Sequence, residues 1–325
     1  MKPPRRKFLH LTASTAALPL ISRVAIAEAY PSRPVHVLVG FPADSGIDRD
    51  AHIVAGWLAA RLGQSFDVEN RPGDGTNIAT EAVVHARADG YTLLLANSAN
   101  AINATLYDKL NFNFIRDMAP VAGVVSIPIV MVVNPSFPAK TVPELIAYAK
   151  ANPGKVTMAS PFSGTLPHLA AALFKMKADV DMPHVTYPAD VPALNDVVAG
   201  KVQLQFSGLG AAIDYIKPGK LRALAVTTAA RIEVLPDIPT VGDSLPGYAA
   251  TSWVGIGAPK GTPVEIVERL NKEITAGFAD AKVKAQFAEL GHAPMPMTPV
   301  EFGKFVAAET EKWGVVVKAV GIKPK

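Results

Sequence analysis

Residues 34–48 read PVHVLVGFPADSGID, and this stretch decides the fold. Its first half is a β-branched apolar run, the pattern of a buried strand. Its second half is a turn-rich loop over residues 41–47. A helix follows, with Asp48 or Asp50 expected as its N-cap. Val54, Trp57, Leu58 and Leu62 then fall on one helical face, and Gly63 stops the helix. Strand, loop and helix in that order form the first unit of an α/β fold.

The unit recurs outward from there. Strands are expected at residues 65–68, 92–96, 155–159, 182–187, 202–206 and 221–227. Helices are expected at 77–86, 141–150, 166–175 and 191–199, with Thr141 and Glu144 in a capping-box pattern. Residues 263–279, 282–290 and 299–320 read as helices only. The alternation predicts largely parallel sheets. Two apolar runs, 120–133 and 251–258, are long enough to cross between two domains. No low-complexity linker separates the halves. The expected division is residues 1–29 as an export signal, 30–128 with 255–325 as one domain, and 129–254 as the other.

Length and composition agree. A chain of 325 residues suits two domains. Its 49% hydrophobic content is too high for disorder. It has no cysteine, which removes thiolate nucleophiles, disulfides and cysteine-based metal sites together. The net charge of +4 is local. Lys2, Arg5, Arg6, Lys7 and Arg23 stand against Glu28 in residues 1–29, leaving 27 basic and 27 acidic residues in the rest. A nucleic-acid partner is therefore not expected. The same segment has a basic start, a mild apolar stretch and Ala27-Glu28-Ala29, a small-x-small cleavage pattern. Arg5 and Arg6 before Phe8-Leu9 resemble a twin-arginine signal. Export to the periplasm with cleavage before Tyr30 is expected.

Catalytic motifs are missing. There is no GxGxxG after a strand, no Walker-type loop, no HExxH and no GxSxG. The seven histidines have no i, i+4 pair, so no metal and no cofactor are expected. Ser163, Gly164, Thr165 and His168 lie close in sequence and suggest a hydrolase only weakly, since no acid is placed to orient the histidine. What remains is five strand-to-helix loops rich in small and hydroxyl residues: 41–48, 97–103, 160–168, 187–191 and 207–210. Ligands of α/β sheets bind outside the carboxyl ends of the strands, and helix N-termini favour anions. Two such domains facing each other make a cleft for a small polar or anionic solute.

The loops and their flanks also resemble a family. The stretches YPSRPVHVLVGF (30–41), VENRPGDGTNIATEAV (68–83), ADGYTLLLANSANAIN (88–103) and NPSFPAKTVPELIAYAKANPGKV (134–156) carry the likeness. GTLPHLAAALF (164–174), GKLRALAVTTAAR (219–231), LPDIPTVGDSLPGYAATSW (235–253) and AAETEKWGVVVKAVGIK (307–323) continue it. In this order and spacing they are similar to the solute-binding proteins of tripartite tricarboxylate transporters, the Bug receptors. The resemblance implies an α/β, two-domain, periplasmic-binding-protein-like fold with a ligand cleft between the domains. It implies a non-enzymatic, monomeric receptor that hands a small carboxylate to a membrane complex of one large and one small subunit.

By position, the first ligand loop implied is that of Phe41, Asp44, Ser45, Gly46 and Asp48. The second is that of Ser160, Ser163, Gly164, Thr165 and His168. Asn97, Ser98 and Ser207 fall at further polar contacts. Two places depart from the family pattern. Ala43, Asp44 and Ser45 stand where Pro-Gly-Gly is usual. Pro188, Ala189 and Asp190 stand where Lys-Gly is usual. Asp44 and Asp190 thus put carboxylates where an anion is expected, so an amino-acid-like or amide-containing solute joins the simple acids as a candidate ligand. A periplasmic sensor that docks onto a signalling partner would carry the same features.

Overall fold

The computed structural model describes residues 30–161 and 164–322. The export segment and Ser163 lie outside the described residues. The first third holds β1 (Val35–Val39), α1 (Gly46–Leu62), β2 (Phe66–Asn70), α2 (Asn77–Val84), β3 (Thr92–Asn97), α3 (Ser98–Leu106) and α4 (Phe114–Asp117). The middle holds β4 (Met118–Ile127), β5 (Ile129–Val133), α5 (Val142–Ala151), β6 (Met158–Pro161), α6 (Leu166–Ala178), β7 (His184–Tyr187) and α7 (Asp190–Val198). Then come β8 (Leu204–Gly208), α8 (Leu209–Ile216), β9 (Arg222–Val226), β10 (Ser252–Pro259), α9 (Val264–Gly277), α10 (Ala281–Glu289), β11 (Ala293–Met297) and α11 (Pro299–Val320).

Two sheets result, one of six strands in the order β11-β4-β10-β3-β1-β2 and one of five in the order β7-β6-β8-β5-β9. Both are mixed rather than largely parallel. β1 pairs in parallel with β2 and β3, but β10 runs antiparallel to β3 and β4. In the second sheet β6 pairs in parallel with β7 and β8, while β5 is antiparallel to β8 and β9. The antiparallel strands are those that leave or enter a sheet from the other one, so they arrive from the opposite end.

The apolar run at 120–133 is two strands. Pro128, which lacks an N–H, separates β4 in the first sheet from β5 in the second. β5 is buried along its whole length. Ile129, Met131 and Val133 enter one core cluster and Val130 and Val132 the other, as the pleat requires. The return crossing lies at Ala250–Ser252. Thr227 joins the two crossings: its hydroxyl donates within reach of Ile129 O and Ala250 O, at 3.1 and 2.5 Å.

Three further differences have physical reasons. α1 starts earlier than expected, with Ser45 as N-cap, because Ser45 Oγ accepts the Asp48 N–H at 3.2 Å. The C-terminal part is not helical throughout: β11, Ala-Pro-Met-Pro-Met, adds an edge strand to β4. Its two prolines suit an edge, where one side of the strand needs no donors. Nor does the last helix return to one unit alone. Phe302 and Val306 of α11 pack in the first sheet's core with Trp253, whose ring meets Phe302 edge-on at 5.6 Å. Trp313, Val316 and Val317 sit in the second sheet's core with α6 and with Ile102 and Leu106 of α3.

Candidate functional site

The five loops named from the sequence stand at the carboxyl ends of β1, β3, β6, β7 and β8. None of them contains a lysine or arginine. Any acid held there must be met by N–H groups, hydroxyls, imidazoles and helix dipoles.

The β1–α1 loop is pinned by Asp48. This carboxylate is buried and accepts the Asp44 N–H at 2.9 Å and the Asn70 amide at 2.6 Å. Asn70 also donates to Phe41 O at 3.1 Å. Asp48 is thus fully used in shaping its own loop. Asp44 is exposed, with φ +63°, a left-handed value that favours glycine. Gly40 permits the loop to leave β1, since a Cβ there would meet Thr76 Cβ at 2.5 Å. Phe41, Ser45 and Gly46 are partly buried.

At the end of β3, Asn97 caps α3. Its Oδ1 accepts the Ala99 N–H at 2.9 Å, and Asn100 Oδ1 accepts the Asn97 N–H at 2.8 Å. Asn97 is 4% exposed and its Nδ2 has no partner. Leu93 and Leu95 of β3 face the core formed with α1, and Asn97 continues that alternation. The orphan amide therefore stands on the α1 side, beside the end of β1. A buried donor without an acceptor costs about 1–3 kcal/mol. Ser98 turns to the crossing strand instead: its Oγ accepts the Trp253 N–H at 2.9 Å and lies 3.1 Å from Ser252 Oγ.

On the second sheet, Ser160 is fully buried and its Oγ lies 2.8 Å from His184 Nε2. The His184 ring stacks on His168 at 4.0 Å. His168 Nδ1 in turn accepts the Gly164 N–H at 3.1 Å, so that nitrogen carries no proton in this arrangement. Gly164 has φ +78°, and a Cβ there would meet Leu106 Cδ2 of α3 at 2.7 Å. Thr165 is the N-cap residue of α6 but makes no side-chain cap; its hydroxyl donates back to Pro161 O at 2.6 Å.

α7 and α8 also begin without side-chain caps, at Ala189 and Gly208. Asp190, the first residue of α7, reaches across to the start of α8. Its Oδ1 accepts from Ser207 Oγ at 2.7 Å and from Gln205 Nε2 at 3.1 Å, and the Gly208 N–H bonds to it as well. Burial raises its pKa above the usual carboxylate value, against the pull of these donors. Gln205 Oε1 remains without a donor.

The structure thus gathers Asp190 with Ser207, and Ser160 and Gly164 with His168. Asn70, His184 and Gln205 were not singled out in the sequence. Only Asn70 had a local signal there, as part of the turn-rich ENRPGDGT segment. Among the described residues no group of three or more His, Asp or Glu side chains is placed to hold a metal, and no helix is long and apolar enough to cross a membrane.

Two α/β units joined by crossing strands, with polar loops at the strand ends, form the two-domain fold of solute-binding proteins. Residues 51–322 match the tripartite tricarboxylate transporter family receptor, TctC, and the chain belongs to that family. It is 34% identical over 302 residues to protein BugT of Bordetella pertussis, covering 92% of this chain and 93% of that one. Among solved structures it is similar to R. palustris Rpa4515 with adipate, at 33% identity and TM-score 0.78, covering 91% of this chain and all of that one. MatC from Rhodopseudomonas palustris with bound malate has 29% identity and TM-score 0.74, covering 89% of this chain and 100% of that one.

Proposed function

We propose that this chain is an exported periplasmic receptor that captures a small carboxylate or amide-containing solute. It delivers the solute to a membrane transporter with one large and one small subunit. The two units are built on the two sheets, joined at Pro128 and Ala250–Ser252 with α11 packed on both, and the solute lies between them. The observation that carries this reading is the orphan Asn97 amide, a buried donor beside the first ligand loop that a ligand oxygen would satisfy. The adipate and malate carried by the two related structures support an acid as the ligand class.

The ligand's charge is met without a cationic side chain. Backbone N–H groups at the starts of α1, α3 and α6 supply partial positive charge, and Ser45, Asn97 and Ser160 supply polar contacts. Asp190 already fills the start of α8 with its own carboxyl group. With Asp44 and Asp48 on the first loop, room for negative charge is concentrated at the starts of α3 and α6. A solute with one carboxylate and a neutral or nitrogen-bearing far end fits that distribution better than a triacid.

The test is calorimetric titration of the purified, ligand-free protein with adipate, malate, glutamate and nicotinate-type acids and amides. Micromolar or tighter binding of at least one small acid is expected. Absence of binding across the whole series would remove the reading.

A further inference from the structure

Gly210 stands in the first turn of α8, where alanine would form helix more readily. Space explains the glycine. A Cβ at Gly210 would lie 2.5 Å from the backbone oxygen of Leu290, and one at Gly291 would lie 3.1 Å from Gly210 N. The atoms in the way belong to main chain, so no rotamer change relieves them. Gly210 follows β8 of the second sheet, whereas Leu290 and Gly291 precede β11 of the first. Two backbones from opposite units therefore meet with only a glycine hydrogen between them.

Both sides of this contact are held firmly. On the second unit, the Leu209 N–H donates to Pro128 O at 2.9 Å, which ties the start of α8 to the crossing between sheets. On the first, the turn is closed by Gly291 N–H to Ala288 O and His292 N–H to Phe287 O, each at 2.9 Å. His292 Nδ1 lies 2.8 Å from Asp50 Oδ1, with side chains 7% and 0% exposed, so the turn is anchored to α1. Ser207 and Gly208, three and two residues before Gly210 in the chain, belong to the loop that carries the Asp190 network.

We propose that the contact of Gly210 with the Leu290–Gly291 turn is the closure stop of the cleft. The start of α8 seats on this turn as the two units come together. The thickness of the contact sets how closely the second unit's loops approach the first. The inference rests on the cleft-receptor reading and adds to it a defined place where closure ends. A glycine is required there because any side chain would hold the cleft ajar.

Gly210→Ala tests it. Gly56→Ala in α1 is the control, since a Cβ at Gly56 meets nothing within 4 Å. Gly56→Ala should melt at or above the wild-type temperature, because it places alanine in an open helical position, while Gly210→Ala should fold with a lower melting temperature, because its Cβ keeps the two backbones apart. Gly210→Ala should show a larger radius of gyration by X-ray scattering than wild type. It should bind adipate at least tenfold more weakly, chiefly through faster dissociation, while Gly56→Ala matches wild type in both. Equal scattering and equal affinity for Gly210→Ala and wild type would overturn the stop. If wild type binds neither adipate nor malate, the reading for those acids fails separately. The scattering of the unliganded proteins then decides the stop, with wild type expected to be the more compact. If Gly210→Ala does not fold, hydrogen exchange on wild type decides: Gly210, Ala211 and Gly291 amides should gain protection together, and independent protection would refute the contact.

Discussion

Ser207 gives its hydroxyl proton to Asp190 across 2.7 Å, joining the end of β8 to the first residue of α7. The bond leaves Ser207 able to act toward a ligand only as an acceptor. It also gives Asp190 a structural reason to be there: its carboxyl group meets the start of α8, which has no side-chain cap of its own.

Asp190 should leave a signature in the pH dependence of stability. Its folded-state pKa is raised, first by burial, above the ordinary carboxylate value of about 3.9. The folded state therefore keeps a proton that the unfolded state has lost. Stability from this group falls as pH rises from about 4 to the raised folded value, and stays lowered above it. Asp190→Asn removes that slope. The urea midpoint of the variant relative to wild type should climb through this window and then level off. A constant difference from pH 4 to 8 would refute the assignment.

Asn97→Ser should separate capping from binding. Serine keeps an N-cap oxygen for the Ala99 N–H but removes the orphan Nδ2. Hydrogen bonds to charged groups contribute about 1.5–3 kcal/mol. Affinity for the preferred acid should drop about ten- to a hundredfold, with the melting temperature nearly unchanged. A large fall in melting temperature with unaltered affinity, corrected for folding, would make Asn97 purely structural.

Asp44→Gly should act twice. Glycine relieves the left-handed backbone at φ +63°, so thermal stability should rise by a degree or two. A carboxylate about 5 Å from a ligand acid costs roughly 3 kcal/mol at an effective dielectric of ~20. Removing it should raise affinity for succinate-like diacids on the order of a hundredfold and lower the preference for ligands with a nitrogen donor. Titration with succinate and glutamate checks this; equal changes for both would show Asp44 to be a solvent-facing loop residue.

Tyr30 should be the first residue of the mature chain. It is docked into the fold: its hydroxyl donates to Gly90 O at 2.7 Å and its ring meets Tyr91 at 5.2 Å. N-terminal sequencing of periplasmic material should begin within a residue or two of Tyr30. Arg5→Lys with Arg6→Lys should block export by a twin-arginine route, and unchanged export would assign the general secretory pathway.

The amino-acid sequence by itself determined the alternation of strands and helices, because buried apolar runs such as VHVLV and IVMVV need no partner's identity to be recognised. It also placed the five polar loops, since turn residues between a strand and a helix mark a strand's carboxyl end. Local capping is legible to within a few residues: the sequence points to Asp48 or Asp50, whereas Ser45 provides the cap, because all these residue types suit an N-cap and only the loop's hydrogen bonds choose between them. Tertiary structure decided the rest. The strand β11 exists because β4 presents an edge, not because Ala-Pro-Met-Pro-Met favours a strand. The Asp190–Ser207 bond and the His168–His184 stack join residues 17 and 16 positions apart that a crossover alone brings together. The split of α11 between two cores, and the glycine contact at Gly210, depend on how one unit sits against the other. Periodicity along a chain reports burial of each element but not which element covers it.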